Sequence, residues 1–576
     1  MLSFNQLKKN LKKDILDLKQ IKIALISDTA TQLLAQAIVG YGIENKISFD
    51  LYEANYNQID FEVFNNNSGL YQFKPDYVLI INSSEKIVSQ FYTLSHLQKL
   101  DFATTQIDYL QSICNAINSN INTKIIANNY YELDDAVFGN FAAKTNISFQ
   151  YQIKKLNLLL MDYCREQPNL HLLNIASLIS EMGYSNAFDA KMYYGAAMNL
   201  SIDILPAIAK NVCDIINATT GNFKKCIVLD LDNTIWGGII GDDGIENIEI
   251  GNLGLGKAFT DLQTWIKQLI GRGIIVAVCS KNDETIAKQP FLQHKEMVLK
   301  LEDIAVFVAN WNNKVDNIKH IQTVLNISFD AMVFIDDNPF EREMVATAIK
   351  EITVPNLPTD PVDYLCYLRG LNLFETASYT ATDTDRTKQY QQAAERIVLQ
   401  KTYSNENDFL ESLEMKCEVE NFNDFNLPRV AQLFQRSNQF NLRTIRYSEA
   451  ELKQIATAQN RYSLSLSLAD KFGDYGLICA IILNKKNSTT LFIDSWIMSC
   501  RVLCRGIELF AMQQIIAYAN ENGFNKIEGE YLPTKKNELV RNHYQNLGFI
   551  LCNDNVWSYD IAANNKPENE HKIFRL

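Results

Sequence analysis

One stretch, residues 226–238, constrains the fold more than any other, and it runs CIVLDLDNTIWGG. Four apolar residues, Cys226–Leu229, lead directly into Asp230 and Asp232. A short apolar run that ends in polar residues is typical of a buried parallel strand with a site at its carboxyl end. Because buried carboxylates need partners, two of them at one strand end indicate a site for a cation beside a phosphate.

Length and composition limit the class of protein. A chain of 576 residues is too long for a single core, so we expect three or four domains. No apolar run approaches the roughly 18–20 residues of a membrane helix, and no secretory signal is visible. The 11 cysteines form no CxxC pair, which favours reduced thiols and a cytoplasmic protein. The net charge of −13 argues against a nucleic-acid partner, and we expect no membrane partner.

Residues 1–220 alternate short apolar runs with helical patterns, which predicts a doubly wound parallel sheet. The predicted strands are Lys22–Ser27, Ile47–Tyr52, Tyr77–Asn82 and Lys124–Asn128. This domain resembles the SGNH-hydrolase fold, in which a serine after the first strand is the nucleophile; Ser27 has that place, and Asn82 resembles the oxyanion asparagine. The histidine of that family's Asp-x-x-His is missing after Asp189. We therefore expect a catalytically silent docking domain, with Ser27 alternatively a helix N-cap.

Residues 221–362 form a second α/β unit in which several predicted strands end in chemically active residues. The predicted strands are Cys226–Asp230, Ile274–Ser280, Ile304–Ala309, Met332–Asp336 and Ile352–Val354. Polar residues at or just after these strand ends are Asp230, Asp232, Thr234, Ser280, Lys314, Asp336 and Asp337. Capping and turn preferences explain some of these singly but not the set.

In this order the strand-end residues resemble the four motifs of the haloacid dehalogenase (HAD) superfamily of phosphoryl-transfer enzymes. The resemblance implies that Asp230 attacks phosphorus to form an aspartyl-phosphate, and that Asp232 protonates the leaving oxygen and later activates water. It implies a phosphate-binding set of Thr234, Ser280, Lys281, Asn282 and Lys314. It also implies Mg²⁺ as cofactor, bound by Asp230, Asp232 (through its backbone carbonyl), Asp336 and possible helper Asp337.

The motif spacing predicts a site without an inserted cap domain. Only a short glycine-rich segment, Gly241–Gly244, separates the first motif from the next helix, and Ser280 and Lys314 are joined by an ordinary connection. An uncapped site excludes water poorly by itself. Either a neighbouring domain covers it, or the substrate is large, such as a carrier protein.

The remaining chain divides into a predicted helical linker, 363–404, and a C-terminal domain, 405–576. The charged stretch Asp383–Gln400 is interpreted as a linker helix with a solvated face. The domain resembles the GNAT acyltransferase fold, α+β, whose glycine-containing turn holds a pyrophosphate. Here that turn contains Arg501, Cys504, Arg505 and Gly506. The arginines either bind the phosphate of a phosphopantetheine arm or pair with surface carboxylates, and Tyr544 resembles the family's leaving-group tyrosine.

Taken together, the three domains resemble the FkbH-like proteins, through DLDNTIWGG, SKN, IDDNPFERE, SNQFNL, MSCRVL and YLPTKKN. The resemblance implies that a glyceryl group from 1,3-bisphosphoglycerate is dephosphorylated and loaded onto an acyl carrier protein. Cys279, Cys500 and Cys504 are candidate glyceryl carriers or buried structural thiols. Arg443, Arg446, Lys535 and Lys536 are candidate docking residues.

Three hypotheses about function stay open at this point. The first is a Mg²⁺-dependent enzyme that makes a glyceryl- or similar acyl-carrier thioester from a phosphorylated small molecule. The second is a plain phosphatase of phosphate esters. The third is a scaffold that recruits carrier proteins without catalysis.

Overall fold

A computed structural model describes residues 2–13, 18–380, 383, 386–400, 403, 405–437, 439–499, 502–503, 505–534, 536–563 and 573–575. The chain is a multidomain α/β protein that divides into two compact units, Met1–Asn217 and Ala218–Leu576. Within the described residues, no helix combines the length and the apolar character that crossing a membrane requires.

The first unit is built on a parallel sheet of five strands in the order β2-β1-β3-β4-β5. Alternate residues of β1 enter two cores: Ile23 and Leu25 pack on one face, Ala24 and Ile26 on the other. This two-sided burial explains the nearly continuous apolar sequence of the strands. The strands are β1 (Lys19–Ser27), β2 (Ile47–Glu53), β3 (Tyr77–Ile81), β4 (Lys124–Asn128) and β5 (Leu170–Leu173).

Helices cover both faces of this sheet, as the predicted alternation requires. They are α1 (Phe4–Asn10), α2 (Gln32–Glu44), α3 (Ile59–Phe64), α4 (Gly69–Phe73), α5 (Ser84–Thr93), α6 (His96–Leu100), α7 (Phe102–Asn120), α8 (Phe149–Glu166), α9 (Ile175–Met182), α10 (Tyr184–Ala187), α11 (Ala190–Ala196) and α12 (Leu205–Thr219).

The second unit begins with a parallel sheet of four strands in the order β8-β7-β6-β9. The strands are β6 (Cys226–Leu229), β7 (Ile275–Ser280), β8 (Ile304–Ala309) and β9 (Met332–Ile335). The helices around them are α13 (Ile240–Asp243), α14 (Gly254–Gly271), α15 (Glu284–Gln293), α16 (Lys314–Leu325), α17 (Pro339–Ala348) and α18 (Tyr364–Gly370). The predicted fifth strand, Ile352–Val354, is wrong, because only one bridge, Val333 to Thr353, forms there.

The predicted linker helix is α19 (Arg386–Gln400), and the prediction that its charges form a solvated face is wrong at key positions. Tyr390 is buried against the core of the four-stranded sheet. Gln391 donates from Nε2 to the carbonyl of Ile304 at 3.0 Å. Buried Arg396 binds Asp470 of the C-terminal region with two hydrogen bonds of 2.8 Å. The helix therefore packs on both parts of the second unit.

The C-terminal region forms an eight-stranded sheet in the order β15-β16-β14-β13-β12-β11-β10-β17. Its strands are β10 (Lys416–Glu420), β11 (Arg461–Asp470), β12 (Gly473–Lys485), β13 (Thr490–Met498), β14 (Lys526–Glu530), β15 (Ile550–Asn553), β16 (Val556–Asp560) and β17 (Phe574–Arg575). The helices are α20 (Glu406–Ser412), α21 (Leu427–Arg436), α22 (Glu449–Thr457), α23 (Ile507–Glu521) and α24 (His543–Asn546). Pairing is antiparallel except between β13 and β14 and between β10 and β17.

Candidate active site

The candidate site lies where three parallel strands of the second unit end. Asp230 follows β6, Ser280 is the last residue of β7, and Asp336 follows β9. Parallel strands present their carboxyl ends at one edge of a sheet, so the local sequence of each strand brings its polar residue to the same place. The backbone supports this register, since the amide of Asp230 donates to the carbonyl of Ile335 at 2.9 Å.

Lys314, the first residue of α16, lies between the two carboxylates. Its Nζ is 3.0 Å from Oδ1 of Asp230 and 2.6 Å from Oδ2 of Asp336. All three side chains are buried, and Asp336 is 0% exposed. A charged triad at this depth is stable only because the charges compensate one another.

Burial and charge pull the pKa values of this triad in opposite directions. Burial raises the pKa of Asp230, and Lys314 opposes that rise. Burial and the neighbouring Asp230 raise the pKa of Asp336 to about 6. Burial tends to lower the pKa of Lys314, but the two carboxylates outweigh it and raise that pKa above the value of a free lysine. Lys314 is therefore a permanent cation beside Asp230.

Asp232 points away from this triad and is fixed by three donors. Its Oδ1 accepts from Trp236 Nε1 at 2.9 Å and from the amide of Ile240 at 3.0 Å. Its Oδ2 accepts from Asn282 Nδ2 at 3.2 Å. The two aspartates of the first motif therefore have different hydrogen-bond and charge partners.

Asp337 completes a group of three carboxylates that fits a hard cation. One oxygen from each of Asp230, Asp336 and Asp337 lies within 4.8 Å of the others. Thr234 secures this arrangement, because its Oγ1 accepts from the amide of Asp337 at 3.1 Å. An all-oxygen donor set matches the preference of Mg²⁺. The Asp232 carboxylate lies outside the group, so its backbone carbonyl is the atom left for the predicted contact.

Two supporting residues were missed by the sequence analysis. Glu341 accepts from Lys281 Nζ at 2.6 Å, so this predicted phosphate ligand is held by a carboxylate. Arg342 Nη1 donates to the carbonyls of Asp336 and Asp337 at 2.9 and 2.6 Å. Both residues lie in α17, shortly after the DDNP motif. Charged side chains at this place, next to a strand-end motif, are the signal that could have found them.

The site has little covering structure of its own. Between β6 and β7 the chain forms only α13 and α14, and the first motif is closed by two backbone bonds between Gly237 and Glu249 at 2.8 and 3.0 Å. Trp311, three residues before Lys314, is 76% exposed, and Phe340 in the first turn of α17 is 68% exposed. Apolar rings this exposed beside a strand-end site suit contact with another molecule.

The predicted acyl-carrier cysteines are only partly covered by the structure. Cys279 is buried in β7, and burial raises its pKa to about 12, which disfavours the nucleophilic thiolate. Cys500, Arg501 and Cys504 lie outside the described residues, as does Lys535. Of the described turn residues, Arg505 bonds to the hydroxyl of Tyr475, with Asp470 at 3.9 Å, and Gly506 begins α23 with φ +78°.

The predicted docking residues Arg443 and Arg446 are engaged internally. Arg443 binds Asp494 at 2.9 Å and Glu530 at 2.7 Å. Arg446 donates to the carbonyl of Phe434 at 2.8 Å. Lys536 is also paired within the second unit, since its Nζ is 2.9 Å from Oδ2 of Asp330 in the four-stranded domain.

A segment of the C-terminal region lies between the ends of β13 and β14. The pairing of β13 with β14 ends at Ile493 and Gly529. Beyond it, the amide of Met498 donates to the carbonyl of Phe440 at 3.1 Å, and the amide of Leu532 donates to the carbonyl of Leu442 at 2.9 Å. The segment 440–442 therefore lies where the two strands separate. Nearby Tyr544 is 1% exposed, with its hydroxyl unpartnered among the described residues.

In the first unit, Ser27 is buried and its hydroxyl is already used. Its Oγ accepts from the amide of Thr29 at 3.1 Å. The neighbouring Asp28 accepts from the amide of Ser83 at 3.0 Å, and burial raises the pKa of Asp28 to about 7. Asn82 lies on the same edge and donates from Nδ2 to the hydroxyl of Tyr130 at 3.4 Å. The alternative interpretation of Ser27 as a helix N-cap is wrong, because α2 begins at Gln32 with Thr31 at the N-cap position, and the Ser27 hydroxyl instead holds a local turn.

Comparison with known proteins agrees with this description. Residues 22–217 match the family described as FkbH, N-terminal domain. The crystal structure of the N-terminal part of the protein BF1531 from Bacteroides fragilis, containing a phosphatase domain complexed with Mg, is 49% identical. It covers 66% of this chain and 100% of that chain, with a TM-score of 0.63. No curated protein matches the chain.

Weaker similarities involve acyltransferases. The GNAT domain of S. lividans PAT is 12% identical and covers 25% of this chain and 89% of that chain, with a TM-score of 0.21. The ribosomal-protein-S18-alanine N-acetyltransferase of Escherichia coli is also 12% identical and covers 25% of this chain and 94% of that chain, with a TM-score of 0.21. At these values the GNAT assignment stays a prediction, and so does the SGNH assignment of the first unit.

The four-stranded parallel sheet and its strand-end carboxylates define the class of HAD-like phosphoryl-transfer domains. Within that class, the 49% identity over the whole of the Bacteroides structure shows the family of this chain. The chain belongs to the same family as Bacteroides fragilis BF1531, and residues 22–217 match the FkbH N-terminal domain.

Proposed function

We propose that this protein is a Mg²⁺-dependent phosphatase-type enzyme that works through an aspartyl-phosphate on Asp230. The observation that carries the proposal is the buried triad of Asp230, Lys314 and Asp336 at one sheet edge, with Asp232 held apart from it. The Mg-bound phosphatase domain of the Bacteroides relative supports it.

Each residue of the site has a role that its position supports. Oδ of Asp230 attacks phosphorus, and the bond from phosphorus to the leaving oxygen breaks. Asp232 gives its proton to that oxygen, then takes a proton from the water that cleaves the aspartyl-phosphate and restores Asp230. Lys314 and Ser280 hold the phosphoryl oxygens. Asp230, Asp336 and Asp337 would hold Mg²⁺, which when bound supplies positive charge for the phosphoryl oxygens.

Turnover of p-nitrophenyl phosphate with Mg²⁺ tests this chemistry. We expect Asp230→Asn and Asp232→Asn each to lower kcat by about a thousandfold or more, because each removes a reacting group. Asp242→Asn, an exposed aspartate in α13, is the matched control and should keep wild-type kcat. Undiminished turnover in Asp230→Asn would reject the proposal.

We further propose that the phosphorylated substrate is an acyl phosphate such as 1,3-bisphosphoglycerate, and that the glyceryl group is passed to an acyl carrier protein. The resemblance to FkbH-like proteins over most of the chain supports this role. So does the open site with exposed Trp311 and Phe340, which leaves room for a protein partner. Cytoplasmic location is part of the same proposal.

Mass spectrometry of a holo carrier protein tests the transfer. After incubation with 1,3-bisphosphoglycerate, Mg²⁺ and the enzyme, the carrier should gain the mass of one glyceryl group. Release of phosphate without any gain by the carrier would leave a plain phosphatase as the function. The burial of Cys279 is the observation that favours that second candidate.

A further inference from the structure

A second, strongly basic cleft lies inside the second unit, between its four-stranded domain and its C-terminal region. Its cavity volume is about 80 Å³, and it opens to solvent. One wall comes from Lys225 and Ser328 of the four-stranded domain. The other comes from α19, α21 and the end of β13, including Arg386, Arg429 and Arg436. This volume is several times the roughly 10–15 Å³ that one water molecule needs, so the cleft has room for a phosphate group.

The described lining of this cleft contains four cationic side chains and no carboxylate. Asp383 lies behind the arginines and is 0% exposed. Its Oδ1 is 2.8 Å from Arg386 Nε, 2.9 Å from Arg436 Nη1 and 3.9 Å from Arg429 Nη1. The same carboxyl also accepts from Gln432 Nε2 at 2.6 Å and from the amide of Thr380 at 2.9 Å. The single carboxylate of Asp383, whose oxygens already accept several hydrogen bonds, is therefore shared by three guanidinium groups.

Arg436 lies close to other guanidinium groups in this cleft. Burial, and then repulsion from Arg386, lower the pKa of Arg436 to about 9. Its Nε is buried and has no hydrogen-bond partner among the residues that the structure describes. A buried guanidinium with an unused donor is costly unless an acceptor fills the space beside it.

The cleft is separate from the catalytic centre. Lys225 precedes β6, whereas Asp230 follows it, so the two residues lie at opposite ends of one strand. Five residues of extended chain span about 16 Å. Ser328 likewise precedes β9, and Asp336 follows that strand. A ligand in the basic cleft therefore lies at the amino edge of the sheet and cannot reach the triad at the carboxyl edge.

We infer that this cleft is a second ligand site, specific for an organic phosphate. Guanidinium groups match phosphate oxygens in pairs, and they bind phosphate more strongly than single ammonium groups do. Phe440 and Met498 also line the cleft and offer apolar surface for the organic part. Because both walls contribute, such a ligand links the phosphoryl-transfer domain to the C-terminal region. The inference does not depend on the proposed catalytic function.

Isothermal titration of the full-length protein with inorganic pyrophosphate, in EDTA to keep Mg²⁺ from the catalytic centre, tests the inference. We expect saturable binding that weakens about tenfold or more in Arg429→Gln, since one guanidinium is lost. Arg429 is the most distant of the three arginines from Asp383, so this change leaves the carboxylate its closest partners. The variant should keep wild-type turnover of p-nitrophenyl phosphate.

Two control variants distinguish binding in the basic cleft from binding at the catalytic centre or on the surface. Ser280→Ala alters the catalytic centre and should leave the dissociation constant for pyrophosphate unchanged within about twofold, as should Arg541→Gln at an exposed arginine. If Arg429→Gln does not fold, Arg386→Lys replaces it as the test variant. Lysine keeps the positive charge but lacks the paired N–H donors of a guanidinium, so the Arg386→Lys protein should bind pyrophosphate several-fold more weakly than wild type. Absence of binding by the wild type, equal binding by the arginine variants, or loss of binding in Ser280→Ala would each overturn the inference.

Discussion

Lys314 determines how two carboxylates can share one buried strand edge. It is 3% exposed and contacts both Asp230 and Asp336 within 3.0 Å. Without it, two negative charges would face each other with little solvent, and their pKa values would rise further. Lys314 therefore serves the fold as well as the chemistry proposed for it.

Replacing Lys314 by methionine should lower the free energy of unfolding by about 3–5 kcal/mol at pH 8, because a buried ion pair loses one partner. Urea denaturation in EDTA, followed by circular dichroism, measures this. Lys319→Met, one turn along α16 at an exposed position, is the control and should change stability by less than about 1 kcal/mol. Equal effects of the two changes would contradict the structural role.

His543 should make the second unit acid-sensitive. It is packed against Phe440 and Trp496, and burial lowers its pKa to about 3. A histidine whose pKa is lower in the folded state stabilises above its unfolded pKa of 6.5, and that stability is lost as the pH falls towards 3. Between pH 6.5 and pH 5 the loss amounts to about 2 kcal/mol. Thermal or urea unfolding of wild type at both pH values measures it.

His543→Gln should remove this part of the acid sensitivity, since glutamine takes up no proton. His171 of the first unit, whose pKa burial lowers to about 4, is unchanged in the variant and serves as an internal reference. The same slope of stability against pH for the second unit in both proteins would show that His543 is not responsible.

At the scale of elements, the strand-end site was predictable and the packing of α19 was not. Strands β6 to β9 are apolar, short and followed by polar residues, so their ends place Asp230, Ser280 and Asp336 in order. Thr234, Lys281 and Asn282 are predicted to bind phosphate, and the protein partners that hold them in place were not visible in the sequence. Such partners depend on distant segments that meet only in the folded chain.

The helix α19 was interpreted as a linker because its sequence is charged throughout. Its charges have specific partners far away in the sequence, such as Arg396 with Asp470. The strand predicted at 352–354 failed for a related reason. Three β-branched residues favour a strand only if a partner edge is free, and here the chain forms a single bridge.

Arg396→Met should loosen α19 from the C-terminal sheet. Asp470 is 0% exposed at its side chain and would keep Tyr475 and local amides as close partners, with Arg505 at 3.9 Å as its remaining cation. We expect a loss of about 3–5 kcal/mol in the stability of the second unit, measured by urea denaturation. Arg396→Lys keeps the positive charge but cannot make the two parallel hydrogen bonds. Its stability should therefore lie between those of wild type and Arg396→Met. A wild-type midpoint for Arg396→Met would show that the pair contributes nothing.

At the scale of the whole molecule, the division at Asn217 separates the FkbH N-terminal domain from all the proposed chemistry. Two compact units predict two unfolding transitions in calorimetry. Because the carboxylate group of Asp230, Asp336 and Asp337 lies in the second unit, Mg²⁺ should raise the midpoint of only one transition.

At Mg²⁺ concentrations about 100 times the dissociation constant, the stabilisation of that unit should reach about 2.7 kcal/mol. EDTA should reverse it. Asp336→Asn should abolish the shift, whereas Asp242→Asn should not. A shift of both transitions together would mean that the units do not unfold independently.

The exposed Trp311 can report on the open site through its intrinsic fluorescence. Of the five tryptophans, Trp236 and Trp496 are buried, Trp265 and Trp557 are half-buried, and Trp311 alone is 76% exposed. A soluble quencher such as acrylamide should therefore act mainly on the indole that stands three residues before Lys314. Protection of that emission on adding a candidate partner would follow occupancy of the open site in real time, without a label.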